Sequence, residues 1–140
     1  MNFVVNNPNP LDTESPILES VSIRDNTLEV GQMLYIDYEA TDDNDISIRI
    51  SIYDELHNTY DLYDWDEVNG YDGVVEFLIT DQMLSGNYTV NVIQVNDDTE
   101  LQNRAQYNPD GSLLDFNGYI TSTHDLDFSA LNFVVNNPNP

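Results

Sequence analysis

Isoleucine stands at positions 46, 48, 50 and 52, with Ser47, Arg49 and Ser51 between. A period of two puts all four isoleucines on one face of a strand, whereas a helix would scatter them round its circumference. Leu34, Ile36, Tyr38 and Ala40 alternate in the same way with Met33, Tyr35, Asp37 and Glu39. Weaker alternation predicts strands over 17–23, 27–30, 58–63 (around Tyr60 and Leu62) and 75–79. Over 88–95 the apolar phase slips from Tyr88, Val90 and Val92 to Ile93 and Val95, as a β-bulge would make it slip. Extended segments are predicted over 103–107, 113–121 and 128–136. One helical turn is predicted at most, at 81–84.

Turn chemistry separates these segments. Asp25-Asn26, Gly31, residues 41–45, the long stretch 64–73 with its Asn69-Gly70 pair, Ser85-Gly86-Asn87, residues 96–100, Asn108-Pro109-Asp110-Gly111 and residues 122–127 all read as reversals. Many short strands broken at this spacing predict an all-β sandwich. If successive strands run antiparallel, the chain enters the sandwich at one end and leaves at the other, advancing roughly 40 Å.

A repeat changes the picture. Residues 2–10 read Asn-Phe-Val-Val-Asn-Asn-Pro-Asn-Pro, and residues 132–140 read the same, with Met1 where Leu131 stands in the second copy. A period of 130 residues predicts a tandem array. Leu131, Phe133 and Val135 alternate with polar neighbours and predict a half-buried strand. The Asn-Asn-Pro-Asn-Pro that follows cannot continue it, since proline lacks the donor and fixes φ, so a short, stiff linker is expected. The expected division is residues 1–11 as last strand and linker of a preceding unit, 12–137 as one unit, and 138–140 as the start of the next linker. The first copy of the strand is expected to hang loose or lie in a lattice contact, because the local copy holds the slot at higher effective concentration.

Charge then narrows the function. Of 140 residues, 26 are acidic and three basic (Arg24, Arg49, Arg104), and the net charge is −23. Phosphate binding needs cations, so nucleic acid is not expected as a partner, nor is an anionic membrane surface. Such a charge repels itself and asks for an offset, either ambient salt or bound divalent cations. Cysteine is absent, which sets the chain apart from small disulfide-stapled modules. No apolar run approaches the ~18–20 residues that cross a bilayer.

Several stretches resemble the immunoglobulin-like tandem repeats of large bacterial surface adhesins, including those of ice-binding and RTX type. Asp12-Thr13-Glu14-Ser15-Pro16-Ile17-Leu18 is similar to their opening. Val30-Gly31-Gln32 with Tyr38-Glu39-Ala40-Thr41-Asp42-Asp43 resembles their second-strand signature, and Ser85-Gly86-Asn87-Tyr88 resembles the Ser-Gly-x-Tyr before their sixth strand. The resemblance implies an immunoglobulin-like Greek-key sandwich of about nine strands. It also implies an extracellular, cell-surface spacer joined end to end to neighbouring repeats, holding a distal binding domain away from the cell and often stiffened by calcium. The chain departs from the pattern with Asp98-Thr99-Glu100 where Ala-Gly-Asn is usual, and with the added stretch 108–127.

Calcium takes six to eight oxygens from carboxylates, amides and carbonyls. In this topology the loops after the second and sixth strands meet where the first strand enters. Asp12, Glu14, Asp42, Asp43, Asp45, Asp97, Asp98 and Glu100 are therefore the expected Ca²⁺ ligands, with Asn6, Asn7 and Asn9 nearby. Asp64, Asp66 and Asn69 form a second candidate, but its glycine falls one place late for an EF-hand and Val75 stands where the glutamate belongs, so a hairpin turn suits it better. No nucleophile motif or phosphate loop accompanies His57 or His124, and no enzyme is expected. The alternative function is a carbohydrate-binding sandwich using Trp65, Tyr53, Tyr60, Tyr63 and Tyr71 as an aromatic platform. Tyr88 is the candidate corner tyrosine of the fold.

Overall fold

A computed structural model describes residues 15–41, 46–66, 72–97, 103–116 and 120–138, with backbone alone at 65, 66 and 72. The chain folds as an all-β sandwich. One sheet holds β1 (Ile17–Ile23), β3 (Met33–Thr41) and β6 (Asp72–Leu78), with β3 central and antiparallel to both neighbours. The other is built on β7 (Gly86–Asp97), the longest strand. Along one edge β7 pairs β4 (Ile46–Tyr53), which pairs β5 (Thr59–Asp66). Along its other edge β7 pairs first β11 (Phe133–Asn136) and then β8 (Arg104–Tyr107). Beyond β8 lie β9 (Ser112–Asp115) and β10 (Ile120–Thr123), and beyond β11 lies β2 (Thr27–Glu29).

The alternating positions meet between the sheets. Leu34, Ile36, Tyr38 and Ala40 of β3 and Ile46, Ile48, Ile50 and Ile52 of β4 are all buried, with Tyr88, Val90, Ile93 and Val95 of β7. The phase slip in β7 is a bulge. Ser51 pairs Val92 while Ile52 pairs Val90, which leaves Asn91 as the extra residue and lets Val92 and Ile93 both turn inward. Tyr88 Oη donates to the Leu84 carbonyl four residues upstream, 2.8 Å away, and its ring stacks on Phe133 at 5.2 Å. This is a tyrosine-corner contact.

Five expectations are corrected in detail. Eleven strands lie among the described residues, against about nine expected. Residues 113–121 do not form one strand, because the chain reverses between β9 and β10. The last strand is preceded by a 3₁₀ turn over Phe128–Leu131, capped by Asp127, whose carboxylate accepts from the Ser129 amide at 3.0 Å. Asp64–Asp66 belong to β5, since their backbone continues the ladder opposite Ile46–Ile48. Asp81–Leu84 form a turn without a helix.

The topology separates the chain ends. β1 and β2 make one traverse that changes sheets at residues 24–26, and β11 runs parallel to β2. Strand β7 serves as a ruler. Near one end of it, Asn96 faces Arg104, whose carbonyl accepts from Ser15 Oγ at 3.2 Å. At the other end Gly86 faces Val135, and the adjacent Ser85 Oγ contacts the Asn137 amide at 3.0 Å. Ser15 and Asn137 thus lie at opposite poles, about 33 Å apart along the strand direction.

Candidate functional site

The Ser15 pole is where the backbone gathers the flanks of the acidic loops. Ile17 pairs Thr41, Ile46 sits between Asp66 and Asp97, and Glu39 pairs Asp72. The loop after β3, the loop after β7 and the entry into β1 therefore start from one pole, as the topology argument requires. The carboxylates themselves fall mostly outside the described residues. Asp12, Glu14, Asp42, Asp43, Asp45, Asp98, Glu100 and Asn69 all lie there, and so does the side chain of Asp66.

Asp97 is described, and it is buried. Its Oδ1 accepts the Asn103 amide at 3.0 Å, its Oδ2 accepts Asn103 Nδ2 at 2.8 Å, and the Asp97 amide donates to the Asn103 carbonyl at 3.0 Å. The pair clamps the two stems of the loop that carries Asp98 and Glu100. Ser15 Oγ donates to Asp115 Oδ1 at 2.7 Å and ties the start of β1 to β9. The Leu18 amide donates to Tyr107 Oη at 2.9 Å, and burial pushes the Tyr107 hydroxyl pKa up. Asp64 accepts Tyr38 Oη at 2.6 Å, so one oxygen of the second candidate already holds a hydrogen bond. Among the described residues no three His, Asp or Glu side chains come together as a metal cluster.

The aromatic platform does not assemble as one surface. Tyr60 pairs Ile52 and shares its inward parity, packing against Phe77 and Tyr88 at 6.0 and 6.2 Å. Tyr53 stacks on His57 at 5.3 Å. Tyr63, opposite Arg49, is 50 % exposed on the outer face. The side chain of Trp65 and all of Tyr71 lie outside the described residues.

That outer face holds a groove of about 510 Å³ lined by Ser47, Arg49, Tyr63, Gln94, Asn96 and Arg104. Two of the three arginines of the chain line it. Arg104 Nε donates to Asn96 Oδ1 at 2.8 Å, Gln94 donates to Gln106 at 2.7 Å, and Arg49 stands 3.6 Å from Asp61. The alternating Ser47-x-Arg49-x-Ser51 positions are the sequence signal for this polar face. The third arginine, Arg24, grips Asp37 through two bonds of 2.8 and 2.9 Å, which hold the Asp37 carboxyl below its usual range.

His57 and His124 each serve a different turn. His57 adopts φ of 62° in the β4–β5 reversal. His124 bridges Asn108 and Leu126 and packs against Tyr107 and Phe128. No helix among the described residues is long and apolar enough to cross a membrane. No protein-family model matches the chain, and no curated protein matches it.

Proposed function

We propose that this chain is a spacer repeat of a secreted bacterial surface adhesin, which lengthens a rod and projects a distal binding domain. The observation that carries the reading is the placement of Ser15 and Asn137 at opposite poles, a consequence of β11 running parallel to β2. A domain with its ends at opposite poles adds its full length to a tandem chain. The identical segments 130 residues apart supply the tandem element. The acidic loops that leave the Ser15 pole are the proposed place for calcium, which would stiffen the junction by neutralising the carboxylates that those loops carry in sequence. The test is small-angle scattering from chains of one, two and four copies. The maximum dimension should grow by roughly 40 Å per copy, and a dimension that grows far less would reject the spacer role.

A second reading, a saccharide-binding sandwich, is favoured by the groove that exposes Tyr63 beside Arg49, Arg104 and the amides of Gln94 and Asn96. An aromatic face with convergent amide and guanidinium donors suits a hydroxylated ring. Glycan-array binding abolished by Tyr63→Ala would support it, and a blank array would leave the spacer reading alone.

A further inference from the structure

The slot that holds β11 is described in full, and its occupant is spelled a second time in the chain. Phe133 stacks on Tyr88, Val135 is fully buried, and the Val134 amide donates to the Asn26 carbonyl at 2.9 Å. Asn137, also buried, donates Nδ2 to the carbonyls of Asp81 and Met83 at 2.9 and 2.7 Å. Every one of these side chains recurs in order as Phe3, Val4, Val5, Asn6 and Asn7.

Residues 3–7 cannot fill the slot of their own sandwich. Placed there in the β11 direction, Asn7 would take the position of Asn137, beside Ser85. Eight residues later the chain must reach Ser15, beside Arg104 at the opposite pole. Eight residues fully extended span at most about 29 Å. The separation is about 33 Å along β7, and some of those residues would be spent on reversing direction. Pro8 and Pro10 restrict the path further.

We infer that residues 3–7 are a strand donor for the β11 slot of another copy of this sandwich, and that the polar separation of the slot from Ser15 forbids self-insertion. The contact is head to tail and heterologous, so it gives a ring where the rotation between copies closes and an open chain where it does not. In the unaltered chain the local β11 keeps the slot through its higher effective concentration. Donation becomes visible when the local strand is weakened. The inference rests on the slot, the repeated sequence and the reach of the chain, and it stands whether or not the protein is a spacer.

The test uses the full 140-residue chain in three variants. Val135→Asp weakens the local strand, Val5→Asp weakens the donor, and the third carries both. Light scattering after size exclusion should give the Val5→Asp chain a mass of 16.0 kDa. The Val135→Asp chain should at least double that mass in a concentration-dependent way, and the double variant should lose the association. Val4→Cys and Thr27→Cys, added to Val135→Asp, should form an intermolecular disulfide, because Val134 faces Thr27 in the slot and the chain has no other cysteine. If the Val135→Asp chain and the double variant stay monomeric alike, or aggregate alike without that disulfide, the inference is overturned.

Discussion

Asn137 Nδ2 lies 2.7 Å from the carbonyl oxygen of Met83, inside the sandwich and one residue past the last strand. A second bond reaches the Asp81 carbonyl, and the Asn137 amide itself meets Ser85 Oγ. The first asparagine pair of the Asn-Asn-Pro-Asn-Pro run is therefore split in function. Asn136 is exposed, whereas Asn137 fastens the turn before β7 to the end of β11. Replacing Asn137 by leucine leaves the buried Met83 carbonyl and the part-buried Asp81 carbonyl without their donor, at about 1–3 kcal/mol for a buried group orphaned. Urea denaturation should show the Asn137→Leu chain at least about 2 kcal/mol less stable, and Asn136→Leu nearly unchanged.

Gly73 of β6 lies against the ring of Tyr38, and a Cβ at residue 73 would overlap the Tyr38 side chain. Tyr38 cannot retreat freely, since it is buried and its hydroxyl donates to Asp64. Gly73→Ala should cost about 1–3 kcal/mol through overpacking. The double variant Gly73→Ala with Tyr38→Leu should recover part of that loss, and a thermodynamic cycle from urea midpoints reads the coupling directly.

Asp54 closes the β4–β5 reversal. It is buried, and burial alone would raise its pKa, but three N–H groups outweigh that. Asn58 Nδ2, the Asn58 amide and the Leu56 amide each lie 2.9 Å from its carboxylate and hold the carboxyl below the usual range. A depressed carboxylate stabilises the fold above its unfolded pKa of about 4 and ceases to do so as pH falls through the folded value. In 0.5 M salt, which screens the general repulsion of a −23 chain, the melting midpoint should fall as pH drops below about 4. Asp54→Ala should melt lower at pH 7 and show a shallower acid limb.

Calcium has a direct thermal test. A ligand bound only by the folded state raises the midpoint by mass action. The calcium proposal expects a rise of several degrees in millimolar calcium over EDTA, with a smaller rise in magnesium. Equal midpoints at fixed ionic strength would remove calcium from the isolated chain. The acidic loops would then act as solvated surface or as half-sites completed by a neighbouring copy.

What could be read from sequence followed burial. The isoleucines of β4 and the alternation in β3 announce themselves because one face of each strand is core, and the same periodicity signals a bulge by its slip from Val92 to Ile93, while the ladder register identifies Asn91 as the extra residue. β10 was missed because all four of its residues are exposed; at a sheet edge with no core to face, alternation carries no information. The Asn117-Gly118 pair was the available turn signal there. The 3₁₀ turn before β11 is not legible in the sequence, because two buried residues, Phe128 and Leu131, do not by themselves separate a turn from a strand. Tyr60 was placed on the outer platform since residue type alone does not fix parity, and register against Ile52 does. At the site, the gathering of loop stems at one pole followed from strand order, while the Asp97–Asn103 clamp depends on side-chain geometry that no spacing rule specifies.

The separation of the two chain ends is the relation on which the spacer account depends, and one distance tests it. Ile17 is 59 % exposed at the start of β1, and Asn136, also exposed, pairs Glu29 at the far end of the β1–β2 traverse. The chain has no cysteine, so Ile17→Cys with Asn136→Cys accepts two spin labels cleanly. Pulsed electron–electron double resonance should give a single distance of about 30–45 Å, set by the twelve residue steps from Ile17 to Glu29. A distance below about 20 Å would place both ends at one pole and contradict the account.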